Sequence, residues 1–358
     1  MDVLQLASQI RPLDEGAMDR ARQRQHSLAK PAGSFGLLEQ LSIQIAGITG
    51  KVNNRVDKKV HFLFGADNGV YEEGVAGTPQ HFTNLLMQFY GGSAHCGINV
   101  LCDHNGIDLR VIDLGVKGEL DLPHVENRKL MPGGTHNFCK QPAIEPEIVS
   151  RAVEIGFYCA QQAVNQGYQI IGTGEVGMAN TTTAAACIMA ALEIDDPDRA
   201  IGRGAGLTDE AFARKKQVIL HGLHLHKPNP DDAFDILSKV GGLDIAAMCG
   251  LFLGAAFCRV PIVVDGVISV AAALLAAKIN PLAKCFMIPS HISEEPGYQL
   301  AVEALGLNPM LNLGMRLGEG TGCPLAMLLV ENALVIMNEM STFEEANLET
   351  DYRKNLKA

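Results

Sequence analysis

The feature that most constrains the fold is an alternation of short apolar runs with helix-length segments. The clearest run, residues 60–66 (VHFLFGA), leads into Asp67, Asn68 and Gly69, which favour a turn. Five further runs have the same character: residues 109–114, 168–171, 261–265, 285–288 and 311–313. Helix-like segments separate them, among them residues 146–166, 181–192 and 243–258. Strands that alternate with helices indicate parallel β-α-β units, so we predict an α/β fold with an open parallel sheet of about six strands.

Composition and net charge limit the kinds of partner that this chain can bind. Of the 358 residues 47% are hydrophobic, which suits a compact enzyme-like protein. The formal net charge of −11 argues against nucleic acid or an anionic membrane surface, because both require a basic face. The nine cysteines form no C-x-x-C pair, the N-terminus lacks signal-peptide features, and no uninterrupted apolar run reaches the ~18 residues of a membrane span. We therefore expect a cytoplasmic protein that binds small molecules.

A single acid, Glu319, stands between Gly318 and Gly320 in the segment LGMRLGEGTGCP of residues 313–324. An apolar, helix-length run follows, and Pro324 is placed where a first helical turn tolerates proline. A carboxyl group fixed between a tight loop and a buried helix is poorly hydrated, which makes it a usable proton acceptor near neutral pH. We predict that Glu319 is a general base.

Residues 172–183 (GTGEVGMANTTT) follow a strand and open a helix, so their free backbone N–H groups predict an anion site. Asn180, Thr181 and Thr182 add side-chain donors. The glycines also match the G-x-G-x-x-G fingerprint of dinucleotide-binding proteins, which leaves an NAD-dependent oxidoreductase as an alternative. Against this alternative, Glu175 would face the pyrophosphate, and the fingerprint is expected at the first strand rather than a middle one.

Two more loops carry polar groups toward the same edge of the sheet. GRGAG at residues 202–206 precedes a helix that Thr208 can cap, in which Lys215 or Lys216 could reach a phosphate; an ordinary solvated lysine pair fits equally well. SHISEEPG at residues 290–297 offers hydroxyls to a sugar or phosphate, although its acids could equally be surface charges.

Three histidines, His221, His224 and His226, raise the question of a metal site. No carboxylate or cysteine stands at a matching spacing, and a histidine on a helix is more often packed or solvated. We expect no metal there.

Six motifs, taken in order, resemble those of one family. They are KPAGSFGLLEQL from Lys30, ADNGVYEEGV from Ala66, GEVGMANTTTAAA from Gly174, GRGAGLTDEAFARKK from Gly202, SHISEEPG from Ser290 and LGMRLGEGTG from Leu313. Nearly the whole chain from Lys30 to Met340 thus resembles the nicotinate-nucleotide:dimethylbenzimidazole phosphoribosyltransferases, which activate the lower base in cobamide (vitamin B12) assembly.

The resemblance implies a Rossmann-like α/β domain at residues 56–299 and a smaller helical domain built from residues 1–55 and 300–358, assembled as a homodimer. It implies transfer of the 5-phosphoribosyl group of nicotinate mononucleotide to a nitrogen of dimethylbenzimidazole, with release of nicotinate and inversion at the anomeric carbon. No cofactor and no metal are implied.

By the same resemblance the catalytic base is Glu319, where reasoning from the residues also places it. The implied nucleotide-binding residues are Glu175, Gly177, Asn180, Thr181, Thr182, Gly202, Gly204, Lys215, Asp265 and Ser290. Residues 74–89 resemble the wall of the base pocket, where we expect Thr78 and Gln88, together with Leu317, to contact the base.

Four positions depart from the residues common in the family. Asn68 and Tyr298 stand where histidine is common, Ala179 where glycine is common, and His136 where alanine is common. These departures leave the accepting base open between a benzimidazole, a purine and a phenolic acceptor such as phenol or p-cresol. A relative of the family uses phenolic acceptors as a complex of two similar chains, so a heteromer is an alternative. A catalytically silent subunit beside a paralogous chain is another.

Overall fold

The computed structural model describes residues 3–90, 92 and 95–350. Its strands are β1 (Lys59–Ala66), β2 (Ile107–Gly115), β3 (Val125–Asn127), β4 (Ile170–Val176), β5 (Ile262–Val264) and β6 (Met287–Pro289). Its helices are α1 (Val3–Ala7), α2 (Glu15–Ser27), α3 (Leu37–Thr49), α4 (Phe82–Tyr90), α5 (Gly97–His104), α6 (Pro146–Asn165), α7 (Asn180–Leu192), α8 (Pro197–Ala200), α9 (Asp209–His226), α10 (Ala233–Val240), α11 (Leu243–Phe257), α12 (Val267–Ile279), α13 (Pro296–Leu305) and α14 (Gly322–Glu339). Two 3-10 helices span Gly69–Glu73 and Pro281–Phe286.

The six strands form one parallel sheet in the order β3-β2-β1-β4-β5-β6. The predicted α/β fold with a parallel six-stranded sheet is therefore confirmed. The strand order reverses between β1 and β4, and this is the place where open α/β sheets bind ligands.

One predicted strand is wrong and another was missed. Residues 311–313 form no strand; Leu311 makes an isolated bridge with His291, and Leu313 is 56% exposed. The strand that the sequence did not predict is β3, which pairs with β2 at the edge of the sheet. Two of its three residues, Glu126 and Asn127, are exposed, so the sequence offers no apolar run there.

The predicted helices at residues 146–166, 181–192 and 243–258 correspond to α6, α7 and α11. Pro324 lies in the first turn of α14, as predicted. Helix α3 begins after Gly36. Gly36 has φ of 53°, a left-handed conformation that turns the chain into the helix and that glycine adopts without strain.

Alternate residues of β1 feed two separate cores, as the period of two in a strand requires. Phe62 and Phe64 belong to a core shared with α6, α7, α11 and α12 on one face of the sheet. Leu63 belongs to a core on the other face, shared with α3, α5 and α14. Both faces of the sheet are thus covered by helices.

Helices α6 and α11 pack against each other backbone to backbone. A Cβ atom placed on Gly156 of α6 would lie 1.8 Å from the carbonyl oxygen of Ala247. One placed on Gly250 of α11 would lie 1.9 Å from the carbonyl oxygen of Val153. The separation of these helices therefore depends on the missing side chains of two glycines.

The chain ends contribute helices to both parts of the predicted two-domain arrangement. Helices α2, α3 and α14 pack together, and α13 packs against α7 and α12. The division at residues 55 and 300 stays a prediction. By length and composition α14 could cross a membrane, but half of it is buried inside the protein, as in the core helix of a globular fold.

Candidate active site

A cavity of about 340 Å³ opens at the carboxyl ends of the central strands. Its floor is the end of β4 from Thr173 to Val176, and the start of α7 forms one wall. Residues 203–205, 265–269 and 316–319 and part of α4 close it from the other sides. The volume suits a small organic ligand.

Glu319 lies in this cavity on a turn of unusual backbone geometry. Gly318, Glu319 and Gly320 have φ of 85°, 61° and 81°, so three successive residues adopt the left-handed conformation. We refer to residues 318–320 as the Glu319 turn. Glycine tolerates this conformation, whereas a residue with a side chain is strained in it. The turn aims a single carboxyl group into the cavity.

Two donors hold the Glu319 carboxyl group. The hydroxyl of Tyr90, at the end of α4, donates to Oε1 at 2.9 Å. The backbone N–H of Ile98, in the first turn of α5, donates to Oε2 at 3.3 Å. Burial and the nearby Glu319 raise the pKa of Tyr90, so its hydroxyl stays a donor. Glu319 is half-buried, which leaves its carboxyl group accessible from the cavity.

Glu175, at the end of β4, is a buried acid of the cavity. Its Oε1 accepts the backbone N–H of Glu319 at 3.3 Å, and its Oε2 accepts from the side-chain amide of Asn180. The same amide donates to Oδ2 of Asp244 at 3.0 Å. Burial, reinforced by the neighbouring Asp244, raises the pKa of Glu175 to about 8. Burial raises the pKa of Asp244 to about 6.

Asp265, at the end of β5, is a third buried acid. Its Oδ1 accepts the backbone N–H of Gly322 at 2.7 Å and so joins the sheet to the start of α14. Burial raises the pKa of Asp265 to about 7. The pKa values of the buried acids lie near or above neutrality, so a positively charged ligand group would favour their ionisation.

A buried lysine and the start of a helix stand together beside the cavity, a combination that favours an anion. Lys215 is fully buried in α9, and its Nζ donates to Oγ1 of Thr181 at 3.0 Å and to the carbonyl of Gly202 at 2.9 Å. Burial lowers the pKa of Lys215 to about 8. Lys216 instead pairs with Asp198 at the surface, so the two lysines left open by the sequence have different surroundings.

The glycine loop beside Lys215 has a backbone donor that the side chain of Glu295 occupies. The N–H of Gly204 donates to Oε1 of Glu295 at 2.7 Å, and Gly204 has φ of 58°. Gly177, Asn180, Thr181 and Gly204 line the cavity, whereas Thr182, Gly202, Lys215 and Ser290 lie outside its lining. The hydroxyl of Ser290 is 2.9 Å from Nδ1 of His291, which does line it.

Two of the three residues predicted to contact the base line the cavity. Thr78 and Leu317 do so, together with Leu86 and Tyr90 of α4. Gln88 does not: it is exposed, and its amide donates to Asn84 at 2.7 Å. Gln88 lies two residues from both Leu86 and Tyr90, and hence on another face of α4 from the residues that line the cavity.

The G-x-G-x-x-G interpretation does not match the fold. Gly172 and Gly174 lie within β4 rather than in a turn between a strand and a helix. Among the three histidines, the rings of His221 and His226 contact the backbone carbonyls of Cys139 and Phe138. Within residues 3–90, 92 and 95–350, no group of three or more His, Cys, Asp or Glu residues could hold a metal ion.

Of the four departures from the family pattern, Ala179 alone lines the cavity. It has φ of 72°, a conformation that glycine adopts with less strain than alanine. Asn68 and Tyr298 are fully buried, and His136 contacts Glu145 at 2.9 Å on the surface. These three positions lie outside the lining of the cavity.

Sequence reasoning missed Tyr90, Asp244 and Glu295 as site residues. Tyr90 could have been found, since Thr83, Met87 and Tyr90 recur at the spacing of one buried helical face. Asp244 is the single acid in an otherwise apolar helix, which is itself a signal. Glu295 looked like a surface acid, and only the tertiary contact with Gly204 distinguishes it.

The parallel sheet and its cavity at the reversal of strand order are typical of α/β enzymes that act on small molecules. A family model described as phosphoribosyltransferase matches residues 10–348. The nicotinate-nucleotide–dimethylbenzimidazole phosphoribosyltransferase of Clostridium tetani is 45% identical over 339 residues, which cover 95% of this chain and 93% of the relative. The enzyme of that name from Chloroflexus aurantiacus is 46% identical over 351 residues, covering 97% and 99%.

Solved structures agree with the sequence relatives. The crystal structure of CobT from Thermus thermophilus superposes with a TM-score of 0.88 at 36% identity, covering 93% of this chain and 99% of that one. The chain belongs to this family of phosphoribosyltransferases.

Proposed function

We propose that the protein transfers the 5-phosphoribosyl group of nicotinate mononucleotide to dimethylbenzimidazole, releasing nicotinate and forming an α-ribotide for the nucleotide loop of cobamides. The names of the relatives support this substrate pair. The observation that carries the proposal is a single cavity whose lining includes both the carboxyl group of Glu319 and an anion cradle, formed by Thr181 and Gly204 beside the buried Lys215.

In the proposed reaction the bond between the anomeric carbon and the pyridinium nitrogen breaks, and a bond from that carbon to the base nitrogen forms. The proton of the base passes to Glu319, and nicotinate leaves with the bonding electrons. Nicotinate departs readily because it starts as a pyridinium. The enzyme therefore mainly aligns the incoming nitrogen and removes its proton.

The remaining groups divide the substrate between them. The start of α7 and Thr181, backed by Lys215, would bind the phosphate, because helix N-termini and lysines favour anions. Glu175 would face the ribose, where positive charge develops as nicotinate leaves. That charge would favour the ionised form of a carboxyl group whose pKa burial has raised to about 8.

Leu86, Leu317 and Tyr90 give the base end an apolar surface with a hydroxyl, which fits a flat aromatic acceptor. We propose a homodimer in the cytoplasm; the nine free thiols support a reducing compartment. Benzimidazoles, purines and phenols are the three classes of acceptor to compare.

The test is to incubate the protein with nicotinate mononucleotide and single bases from these three classes, and to identify ribosylated products by mass. We expect nicotinate release only when a base is present, with dimethylbenzimidazole among the best acceptors. The absence of release with every base would overturn the proposal.

A further inference from the structure

We propose that His61 is a positioning residue for this reaction: its imidazole holds the backbone of the Glu319 turn so that the carboxyl group stays aimed at the bound base. The inference rests on the proposed function, since His61 acts through the proton acceptor. His61 lies in β1 and outside the lining of the cavity.

One hydrogen bond connects the two residues. Nε2 of His61 lies 3.2 Å from the carbonyl oxygen of Glu319. A carbonyl oxygen can only accept, so Nε2 carries the hydrogen and donates it. Burial lowers the pKa of His61 to about 4, and the neutral ring therefore has a single N–H at neutral pH. The ring directs that one donor to the Glu319 turn.

The other ring nitrogen reinforces this interpretation. Nδ1 of His61 is fully buried and has no hydrogen-bond partner among residues 3–90, 92 and 95–350. An unpaired buried polar atom is costly, and an apolar side chain of similar size would avoid the cost. The hydrogen bond that Nε2 donates to Glu319 therefore explains why a histidine, rather than an apolar residue, stands at this position.

The Glu319 turn requires such support. Glu319 has φ of 61° between two glycines with φ of 85° and 81°, a conformation that a residue with a side chain leaves when nothing holds it. Its N–H is bound by Glu175 and its carbonyl by His61. Without His61 the carbonyl of Glu319 would lose its hydrogen bond, and the residue that carries the carboxyl group would be held less firmly.

Three glycines make room for the ring. A Cβ atom on Gly172 would lie 2.4 Å from Nδ1, one on Gly174 would lie 2.4 Å from Nε2, and one on Gly320 would lie 2.2 Å from Cε1. Two are in β4 and the third is in the Glu319 turn. The backbones of both elements therefore close directly onto the imidazole, which accounts for the two glycines that resemble a dinucleotide fingerprint.

The experiment compares His61→Leu, which keeps the volume but removes the donor, with His61→Gln, whose amide N–H can reach the position of Nε2. For phosphoribosyl transfer we expect His61→Leu to lower kcat by about 10- to 100-fold, because the carboxyl group is misplaced. The Kd for nicotinate mononucleotide should stay within about twofold of the wild-type value, since the substitution leaves the anion cradle unchanged. His61→Gln should recover part of the lost kcat.

The control is Leu63→Ala, on the same face of β1 and fully buried, which loses packing but no bond to the turn. It should lower Tm while keeping kcat. If His61→Leu does not fold, His61→Asn replaces it, because the asparagine amide is one methylene too short to reach the carbonyl.

The outcomes separate this inference from the proposed function. Wild-type kcat in folded His61→Leu, or equal kcat in the Gln and Asn variants, would overturn the role of His61. An inactive Glu319→Gln measured beside them would leave Glu319 as the base even then. A fully active Glu319→Gln would instead overturn the proposed role of Glu319, on which this inference depends.

Discussion

Glu175 and Glu319 lie in the same cavity and are joined by a hydrogen bond, yet the chain presents them in opposite ways. Glu175 lies in a regular strand and is only 7% exposed. It shares the side-chain amide of Asn180 with a second acid, Asp244. Glu319 sits on a strained turn, is half-buried, and is held by a hydroxyl and the N–H of a helix start.

The difference shows that burial and backbone geometry do separate jobs here. Burial raises the pKa of Glu175 to about 8, which keeps that group neutral in the empty site. The sequence predicts poor hydration for Glu319, but the structure puts the deepest burial on Glu175, Asp244 and Asp265. What distinguishes Glu319 is its position, because the turn carries the carboxyl group to where a base can meet it.

The largest expected effect on activity comes from a substitution at Glu319. Glu319→Gln keeps the shape and the contact with Tyr90 but removes the proton acceptor. We expect kcat to fall by about 10²- to 10⁴-fold with little change in nucleotide affinity. Steady-state rates and calorimetric titration with nicotinate mononucleotide provide the check, and unchanged turnover would contradict the assignment.

The second prediction uses the raised pKa of Glu175. In the unfolded chain this pKa is near its ordinary value of 4.5, and in the folded protein it is about 8. The stability that the bound proton contributes is complete below the unfolded pKa and is lost as pH rises toward 8. Glu175→Gln removes this dependence, so its stability relative to wild type should grow by about 1.4 kcal/mol per pH unit within that window.

Urea unfolding between pH 5 and pH 9 measures this effect. The surface variant Glu210→Gln, in the exposed first turn of α9, serves as the control and should follow wild type at each pH. A constant difference between Glu175→Gln and wild type across the window would show that Glu175 is not held neutral.

The third prediction concerns Lys215, which we expect to support binding of the phosphate independently of Glu175 and Glu319. Lys215→Met removes a buried cation, and we expect the Kd for nicotinate mononucleotide to rise by about 10- to 100-fold, corresponding to a charged hydrogen bond. The adjacent Lys216→Met is a matched control, because Lys216 pairs with Asp198 at the surface. Equal effects of the two variants would contradict the placement of the phosphate.

The smallest effect concerns a second strained residue on the other wall of the cavity. Ala179 has φ of 72°, and Ala179→Gly should relieve the strain and stabilise the protein by about 0.5–1 kcal/mol. Ala184→Gly in the interior of α7 should do the reverse, since glycine weakens a helix. The denaturant midpoints of the two variants measure these changes in stability. A destabilised Ala179→Gly would contradict the claim that Ala179 is strained.

The sequence is sufficient for the α/β class and for the loops that form the cavity, because buried parallel strands produce apolar runs and glycine turns follow them. It fails where a signal depends on tertiary contacts. Strand β3 is too short and polar to detect, and residues 311–313 are apolar without pairing in the sheet. Gln88 and Tyr90 were separable by helical periodicity, whereas the contact between Glu295 and Gly204 was not.

The close contact of α6 and α11 has a consequence for how this chain can vary. Even a methyl group on Gly156 would push against Ala247, which lies less than one turn from Asp244 along α11. Displacement of that helix start would pull on Asn180 and, through it, on Glu175. A substitution between two helices, far from any substrate, would then appear as a loss of turnover in a protein that still folds.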